Sequence, residues 1–318
     1  MTDPDLASPP AVIRRVAFLG TPPAAVPSLM ALVEAGYDVP LVISRPDRRR
    51  GRGSKLIPSP VKQAARDLGL PVDDQPESLL SVEALDLAVV VAYGRILSRP
   101  LLERLPMVNV HFSLLPRWRG AAPVERAILA GDDVTGVSII ALSEGLDEGP
   151  VYDRLEVAVG PDETAAELTA RLADTGADLL ISVMRRGLSD PFPQQGEVTY
   201  AAKLDRSEYE LDFGLRAADV HRRVRVGRAW TTFRGARLGI EETRVISRQG
   251  RPGRLELVQP DQCGSMVEGP NGLGPVVVVG TGEQSLVVIS VKPEGRRTMS
   301  ASEWWNGAQP QPEETLGR

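Results

Sequence analysis

The residues Asp86–Tyr93, D-L-A-V-V-V-A-Y, are apolar almost without a break and stop at Gly94. A strand with no polar alternation has no face for water, so this run belongs at the centre of a parallel sheet covered on both sides. The preceding residues supply more of that sheet. Arg15–Gly20 (R-V-A-F-L-G) is a short apolar strand ending at Gly20-Thr21-Pro22. Thr before Pro has the form of an N-cap and first helical residue, so a helix is expected from there to Gly36. Val39–Ser44 is the next strand. A strand, a helix and a strand within about thirty residues make a right-handed βαβ unit with parallel strands. No G-x-G-x-x-G follows the first strand, so a dinucleotide fingerprint is absent.

The pattern continues with a short helix over Val61–Leu68 and a strand at Met107–His111. A helix follows over Pro123–Ala130, then strands at Thr135–Leu142 and Val151–Val159. Asp162–Arg186 reads as a long amphipathic helix, with Thr164 and Glu167 at capping-box spacing. Residues 1–188 are therefore expected to be an α/β domain, a Rossmann-like, mostly parallel sheet with helices on both faces. Ser189–Gly196 (S-D-P-F-P-Q-Q-G) has the prolines and polarity of a linker, assigned to 189–205. In 206–318 a helix near Ala217–Val226 precedes short strands at Thr231–Phe233, Ala236–Val245, Arg254–Gln259, Pro275–Val279 and Ser285–Val291. That spacing suggests a smaller C-terminal β-barrel of OB-like form. Met299–Asn306 closes the chain, with Ser300 and Glu303 as another capping box.

Composition narrows the function classes. The chain has 318 residues, 42% hydrophobic and 25% charged, ordinary values for a globular protein. No apolar run approaches the ~18 residues of a membrane span, and the acidic, Pro-rich N-terminus has no signal-peptide core, so a cytoplasmic location is expected. The single cysteine, Cys263, excludes an internal disulfide and a cysteine-built zinc site. Net charge is −5, but it is unevenly placed: Arg45–Lys62 carries seven basic residues (Arg45, Arg48, Arg49, Arg50, Arg52, Lys55, Lys62) against Asp47, a net of +6. The region has two glycines, flanking prolines and no hydrophobic period, and reads as a long mobile loop after a strand. Such an island on an acidic body calls for an anionic partner, with RNA phosphate as the expected target. The C-terminal arginines Arg222, Arg223, Arg225, Arg228, Arg234 and Arg237 form either a second basic face or a salt-bridged surface.

Ligands of open α/β sheets bind beyond the carboxyl ends of the strands. Gly20-Thr21-Pro22, the basic loop, Gly94-Arg95 and His111-Phe112-Ser113 are all such ends and should share one edge of the sheet. In Met107–His111, alternation puts Asn109 and His111 on one face and Val108 and Val110 on the other. The only other histidine is His221, and no H-x-x-x-H, H-E-x-x-H or G-x-S-x-G is present, so no metal site or serine nucleophile is indicated. A carboxylate partner is best sought in Gly145-Leu146-Asp147-Glu148-Gly149, where Asp147 leads and Glu144 and Glu148 are rivals. An amide, an imidazole and a carboxylate suit acyl transfer to an amine without a covalent enzyme intermediate. Asn109 and His111 would stabilise the oxyanion, at ~3–4 kcal/mol per donor. Asp147 would orient the imidazole, favour its protonated form and relay the amine's proton.

The stretches N-V-H-F-S-L-L-P-R-W-R-G-A-A-P (109–123) and G-L-D-E-G (145–149) closely resemble the methionyl-tRNA formyltransferases, a folate-dependent formyltransferase family. The likeness extends to F-L-G-T-P at Phe18–Pro22, the basic island, V-A-Y-G-R-I-L at Val91–Leu97, T-Y-A-A-K-L at Thr199–Leu204 and V-K-P-E-G-R-R-T-M-S-A at Val291–Ala301. The resemblance implies transfer of formyl from 10-formyltetrahydrofolate to initiator methionyl-tRNA, with no metal. It implies Asn109, His111 and Asp147 as the catalytic trio. It implies folate against Ser113, Leu114, Leu115 and Pro116 and the backbone of Arg95, Ile96 and Leu97. It also implies entry of the basic loop at the acceptor-arm end of the tRNA, with Arg52 at the G-R-G position, and a tRNA-binding C-terminal domain. No membrane and no obligate protein partner are indicated. The Asn-x-His and Leu-Leu-Pro signature is common to folate-dependent formyltransferases of this fold, so a sugar-nucleotide amine is the alternative acceptor, one that would not need the Arg48–Lys55 island. The chain departs from the family pattern at Phe112 (often glycine), at Glu148 and Pro150, and in R-V-G-R-A-W-T-T-F at Arg225–Phe233.

Overall fold

The structure, a computed structural model, describes residues 6–49, 56–263 and 275–317. The chain divides into two compact units, the first made of the residues up to Val124, Asp133–Val159 and Glu167–Ala202. Its strands are β1 (Val16–Gly20), β2 (Val42–Ile43), β3 (Arg48–Arg49), β4 (Leu56–Ile57), β5 (Val72–Asp73), β6 (Leu87–Val91), β7 (Met107–His111), β8 (Arg119–Gly120), β9 (Val134–Ala141), β10 (Val151–Ala158) and β11 (Tyr200–Ala201). The helices up to its end are α1 (Val26–Glu34), α2 (Pro60–Asp67), α3 (Arg99–Arg104), α4 (Pro123–Ala130) and α5 (Ala165–Arg186).

Seven strands form one sheet in the order β10-β9-β7-β6-β1-β2-β5. β6 lies at its centre, parallel to β1 and β7, and every residue of β6 is buried. The parallel strands β1, β2, β6 and β7 all deliver their carboxyl ends to one edge, whereas β9 pairs antiparallel to both β7 and β10. Ala17, Leu19, Ala88, Val90 and Met107 share one face, packed with Leu101 and Leu102 of α3. Asn109 and His111 follow Met107 by alternation and lie on that same face. Val110 lies on the other face, where a Cβ on Gly176 of α5 would stand 2.8 Å from Val110 Cγ1 and 3.2 Å from Val137 Cγ1. The glycine thus lets α5 sit close on the strand that carries the polar pair. No described helix is long and apolar enough to cross a membrane.

Two local expectations change. Thr21 does not cap a helix: its hydroxyl donates to the Tyr93 carbonyl at 3.4 Å, a 3-10 turn occupies Pro23–Ala25, and α1 starts only at Val26. The residue at the N-cap of that turn is Pro22, which has no side-chain acceptor, so no side chain caps it. The basic island, expected as a loop, has a paired base, since Arg48 pairs with Ile57 and Arg49 with Leu56 in a short antiparallel ribbon. Arg50, Arg52 and Lys55 lie outside the described residues.

The second unit comprises Glu125–Asp132, Gly160–Ala166 and the residues from Lys203. It contains α6 (Ala217–Arg225), β12 (Trp230–Phe233), β13 (Ala236–Ile246), β14 (Leu255–Val258), β15 (Val276–Gly280), β16 (Ser285–Pro293), β17 (Met299–Ser300) and α7 (Ala301–Ala308). The antiparallel sheet runs β12-β13-β16-β15-β14, with β17 on β16. Its open side is bridged by the chain's last described residues: Gly317 donates to Thr232 O at 2.9 Å and Leu316 to Gly253 O at 2.8 Å. Leu316 is buried in the same core as Phe233 and Trp304, whose rings meet edge-on at 5.1 Å. The Ser300–Glu303 capping box begins α7 as expected. Within this unit His221 sits 3.0 Å from Asp162 and 2.9 Å from the Thr243 hydroxyl, and Arg225 donates to the carbonyls of Gly160 and Glu163. Burial lowers the His221 imidazole from its ordinary value, the nearby Asp162 carboxylate opposing.

Candidate active site

β7 carries Asn109 and His111 because its apolar residues alternate with them, and one carboxylate gathers both. Asn109 Nδ2 donates to Asp147 Oδ1 at 3.1 Å, and His111 Nδ1 lies 3.7 Å from Asp147 Oδ2. The same Oδ2 accepts the backbone N–H of Gly120 at 2.8 Å. His111 Nε2 donates to the Trp118 carbonyl at 2.9 Å, so both ring nitrogens face oxygen. The His111 and Asp147 side chains are only 6% and 12% exposed, so their interaction is little screened by bulk water.

Asp147 reaches this position through a loop. β9 runs antiparallel to β7, with Ala141 beside Val108, so the chain leaves β9 one residue from Asn109 and the loop then brings the carboxylate back to it. Asp147 itself has φ +52°, a left-handed conformation rare for a residue with a side chain. Gly149 is required there, since a Cβ would collide with the Ala141 carbonyl. Of the rival carboxylates, Glu144 pairs with Arg99 at 3.2 Å and Glu148 with Arg119 at 3.2 Å. Neither is brought to the imidazole by those contacts.

The segments expected to hold folate leave the sheet from the adjacent parallel strands β6 and β7. Ser113 and Leu115 are fully buried; the Ser113 hydroxyl donates to Arg117 O at 2.6 Å, and its carbonyl accepts from Ser138 at 2.7 Å. Neither residue presents a side chain to the surface. Pro116 is buried, Leu114 half-buried and packed near Gly136, and the Leu115–Pro116 peptide is cis. On the other segment Leu97 is buried, Arg95 is exposed and donates to Asp74 O at 3.3 Å, and Ile96 is 96% exposed. Beside it, burial raises the Tyr93 phenol above its ordinary value, with the Arg95 guanidinium opposing.

The described basic residues fall into two groups. Arg45 donates to the Gly94 carbonyl, and Lys62 pairs with Asp47 at 2.6 Å, holding that carboxyl below its usual range by a hydrogen bond. These two fasten the base of the hairpin. Arg48 and Arg49 are exposed on it.

Residues 192–201, expected as linker, lie against the site. Phe192 and Val151 exchange backbone hydrogen bonds of 2.8 and 2.9 Å, Trp118 N–H donates to the Thr199 hydroxyl at 2.9 Å, and β11 pairs parallel with β8. Gln194 bonds to both Arg119 and the Asp147 loop. Their contacts were not legible in sequence because they are to backbone or between loops, with no period to reveal them; the signals were the density of glutamine and proline and the T-Y-A-A-K-L likeness at Thr199–Leu204. Among the described residues no three His, Cys, Asp or Glu side chains are grouped to hold a metal.

Comparison with known proteins finds two family matches. Residues 14–184 match the family described as formyl transferase, and residues 203–309 match formyl transferase, C-terminal domain. The methionyl-tRNA formyltransferase of Halorhodospira halophila is 46% identical over 309 residues, covering 92% of this chain and 96% of that protein. That of Thermus thermophilus is 41% identical over 319 residues, covering 96% and 99%. Among solved structures, an N-formyltransferase from Helicobacter canadensis in complex with folinic acid and dTDP-3-aminofucose superposes with a TM-score of 0.65 at 16% identity, covering 87% of this chain and 99% of that one. HypX from Aquifex aeolicus in complex with tetrahydrofolic acid gives 0.63 at 15%, covering 92% and 46%. At those identities the structural likeness is one of fold.

Proposed function

The chain belongs to the methionyl-tRNA formyltransferase family, and from that premise we propose that it moves the formyl group of 10-formyltetrahydrofolate onto the amino group of initiator methionyl-tRNA, for translation initiation. The observation that carries the chemistry is the convergence of Asn109 and His111 on Asp147.

The amine attacks the formyl carbon, and the carbonyl oxygen takes up negative charge in a tetrahedral intermediate. Asn109 has two N–H donors; one goes to Asp147, and we assign the other to the oxyanion. His111 supplies the second donor, exchanging its Trp118 carbonyl for the developing charge. Hydrogen bonds of this kind commonly tighten only when substrate is bound. Each such donor is worth ~3–4 kcal/mol of transition-state stabilisation. The negative Asp147 carboxylate stabilises positive charge arising on the imidazole and accepts the attacking amine's proton, directly or through His111. Collapse then returns the electron pair from oxygen to carbon and expels the folate nitrogen, which takes the proton that Asp147 had accepted and so restores the carboxylate.

The folate is assigned to the strand-end edge bounded by Arg95–Leu97 and Ser113–Pro116. Solved structures of this fold in complex with folinic acid and with tetrahydrofolic acid support a folate co-substrate. The tRNA acceptor arm is assigned to the basic hairpin, through Arg45, Arg48, Arg49, Arg50, Arg52, Lys55 and Lys62, and the second unit to a further tRNA surface. The exposure of Arg48 and Arg49 supports the hairpin's role. Purified protein, given 10-formyltetrahydrofolate with methionyl-tRNA or with an amino-sugar nucleotide, is expected to formylate the first acceptor only. Formylation of the sugar nucleotide alone would overturn the tRNA assignment and leave the catalytic one standing.

A further inference from the structure

We propose that Gln194 is a positioning residue, one that fixes Asp147 for formyl transfer while itself standing outside the trio; this rests on the catalytic reading of Asp147 above. Asp147 holds a left-handed backbone conformation, φ +52°. A residue with a Cβ keeps that conformation when its surroundings over-determine it. Gln194 supplies much of that determination. Its Nε2 donates to two carbonyls of the loop, Asp147 O and Gly149 O, each at 2.8 Å. Its Oε1 accepts from Arg119 Nε at 3.0 Å and Nη2 at 2.7 Å. Both N–H groups and the oxygen are thereby used, and the amide can face only one way. A guanidinium offers only donors and two carbonyls only acceptors, so a flipped amide would oppose like groups on both sides.

The amide thus ties the Asp147 loop to the strand β8, and β8 holds the other end of the same residue. Gly120, next to Arg119, donates its N–H to Asp147 Oδ2 at 2.8 Å. Arg119 also reaches Glu148 Oε1 at 3.2 Å. Backbone and carboxylate of Asp147 are therefore both referred to Arg119–Gly120, the first through Gln194. Gln194 is in turn held between two anchored points, the Phe192–Val151 backbone pair and the pairing of Tyr200–Ala201 with Arg119–Gly120. It falls in the interval between the two family matches, which end at 184 and resume at 203.

The test is a coupling measurement on the full chain. Gln194→Ala is expected to lower kcat for formylation of methionyl-tRNA about 10- to 100-fold, the scale set by a displacement of about an ångström at a reacting group, with both KM values within about threefold of wild type. Gln194→Glu keeps the shape and the acceptor for Arg119 but sets an oxygen against the two carbonyls, and is expected to show the same kcat loss. It also serves as the readout if the alanine variant does not fold. In an Asp147→Asn background either change should cost less than about threefold more, because the group it positions is already gone. An equal fold-loss in both backgrounds, or wild-type kcat in both Gln194 variants, overturns the proposal while leaving the role of Asp147 intact. Wild-type kcat in Asp147→Asn alone overturns the catalytic reading of Asp147, and this proposal with it.

Discussion

Replacing Asp147 with asparagine removes a charge and almost no volume, so its effect is calculable from the geometry. The carboxylate lies 3.7 Å from His111 Nδ1, with the two side chains 12% and 6% exposed. At an effective dielectric of ~20 that separation is worth about 4.5 kcal/mol to a full positive charge on the imidazole, and about 2 kcal/mol if only half develops in the transition state. Losing it slows transfer by about 30- to 2,000-fold, at 1.36 kcal/mol per factor of ten. Hydrogen bonding adds to the penalty. Both oxygens now accept, one from Asn109 Nδ2 at 3.1 Å and one from Gly120 N–H at 2.8 Å. A carboxamide has only one oxygen, so in either orientation its NH2 meets a donor, and about 1–3 kcal/mol of unsatisfied polar contact follows. The assay is single-turnover formylation of methionyl-tRNA at saturating 10-formyltetrahydrofolate, with tRNA affinity measured separately by filter binding. The expected result is a loss of two to three orders of magnitude in rate, to within about a factor of ten, with tRNA affinity unchanged. A rate within about threefold of wild type at saturation would refute the account.

Three further outcomes follow from other parts of the molecule. Neutralising Arg48 and Arg49, which are exposed on the hairpin, is expected to weaken tRNA binding and reduce the slope of log K against log salt by about 0.7–0.9 per lost phosphate contact, while the single-turnover rate of bound complex holds. The Arg234 guanidinium, and secondarily the Gln311 N–H, hold the Glu314 carboxyl down to about 2 from an ordinary 4.5. The folded state then favours the ionised form, so this contribution is fully present above pH 4.5 and lost as pH falls toward 2. The stability difference between the wild type and Glu314→Gln, read from urea midpoints, should shrink across that window. Trp304 is 7% exposed and edge-on to Phe233, so Trp304→Ala should cost about 3–5 kcal/mol in urea unfolding of the second unit.

Much of this was legible from side-chain pattern. The uninterrupted apolar run ending at Tyr93 became the buried central strand β6, and alternation at Met107–His111 correctly put Asn109 and His111 on one face. Pro123–Ala130 is a helix over the residues expected. Capping signals worked where the cap partner was local, as at Ser300 and Glu303. They failed at Thr21, whose hydroxyl met a carbonyl more than seventy residues away, a partner no local rule contains. The same limit explains the site. Asn, His and Asp announce their chemistry by residue type, whereas the Gly120 N–H and the Trp118 carbonyl are groups every residue owns. Their selection depends on where β8 runs, and β8 is two residues long, paired to a segment some eighty positions later. The basic island was found by charge alone, but the pairing at its base joins Arg48–Arg49 to Leu56–Ile57 across residues with no alternation to reveal it.

The pairing of β11 with β8 bears on how such a chain can be divided. A cut after Arg186, where the long helix α5 ends, looks like a tidy seam. It would nevertheless remove Gln194, the Thr199 hydroxyl and the whole of β11, all of which hold the loops of the first unit. A polypeptide trimmed there would keep every strand of the large sheet and lose the brace on its own chemistry. A cut past Ala202 keeps that brace, but it leaves Glu125–Asp132 and Gly160–Ala166, which belong to the second unit, on the first piece.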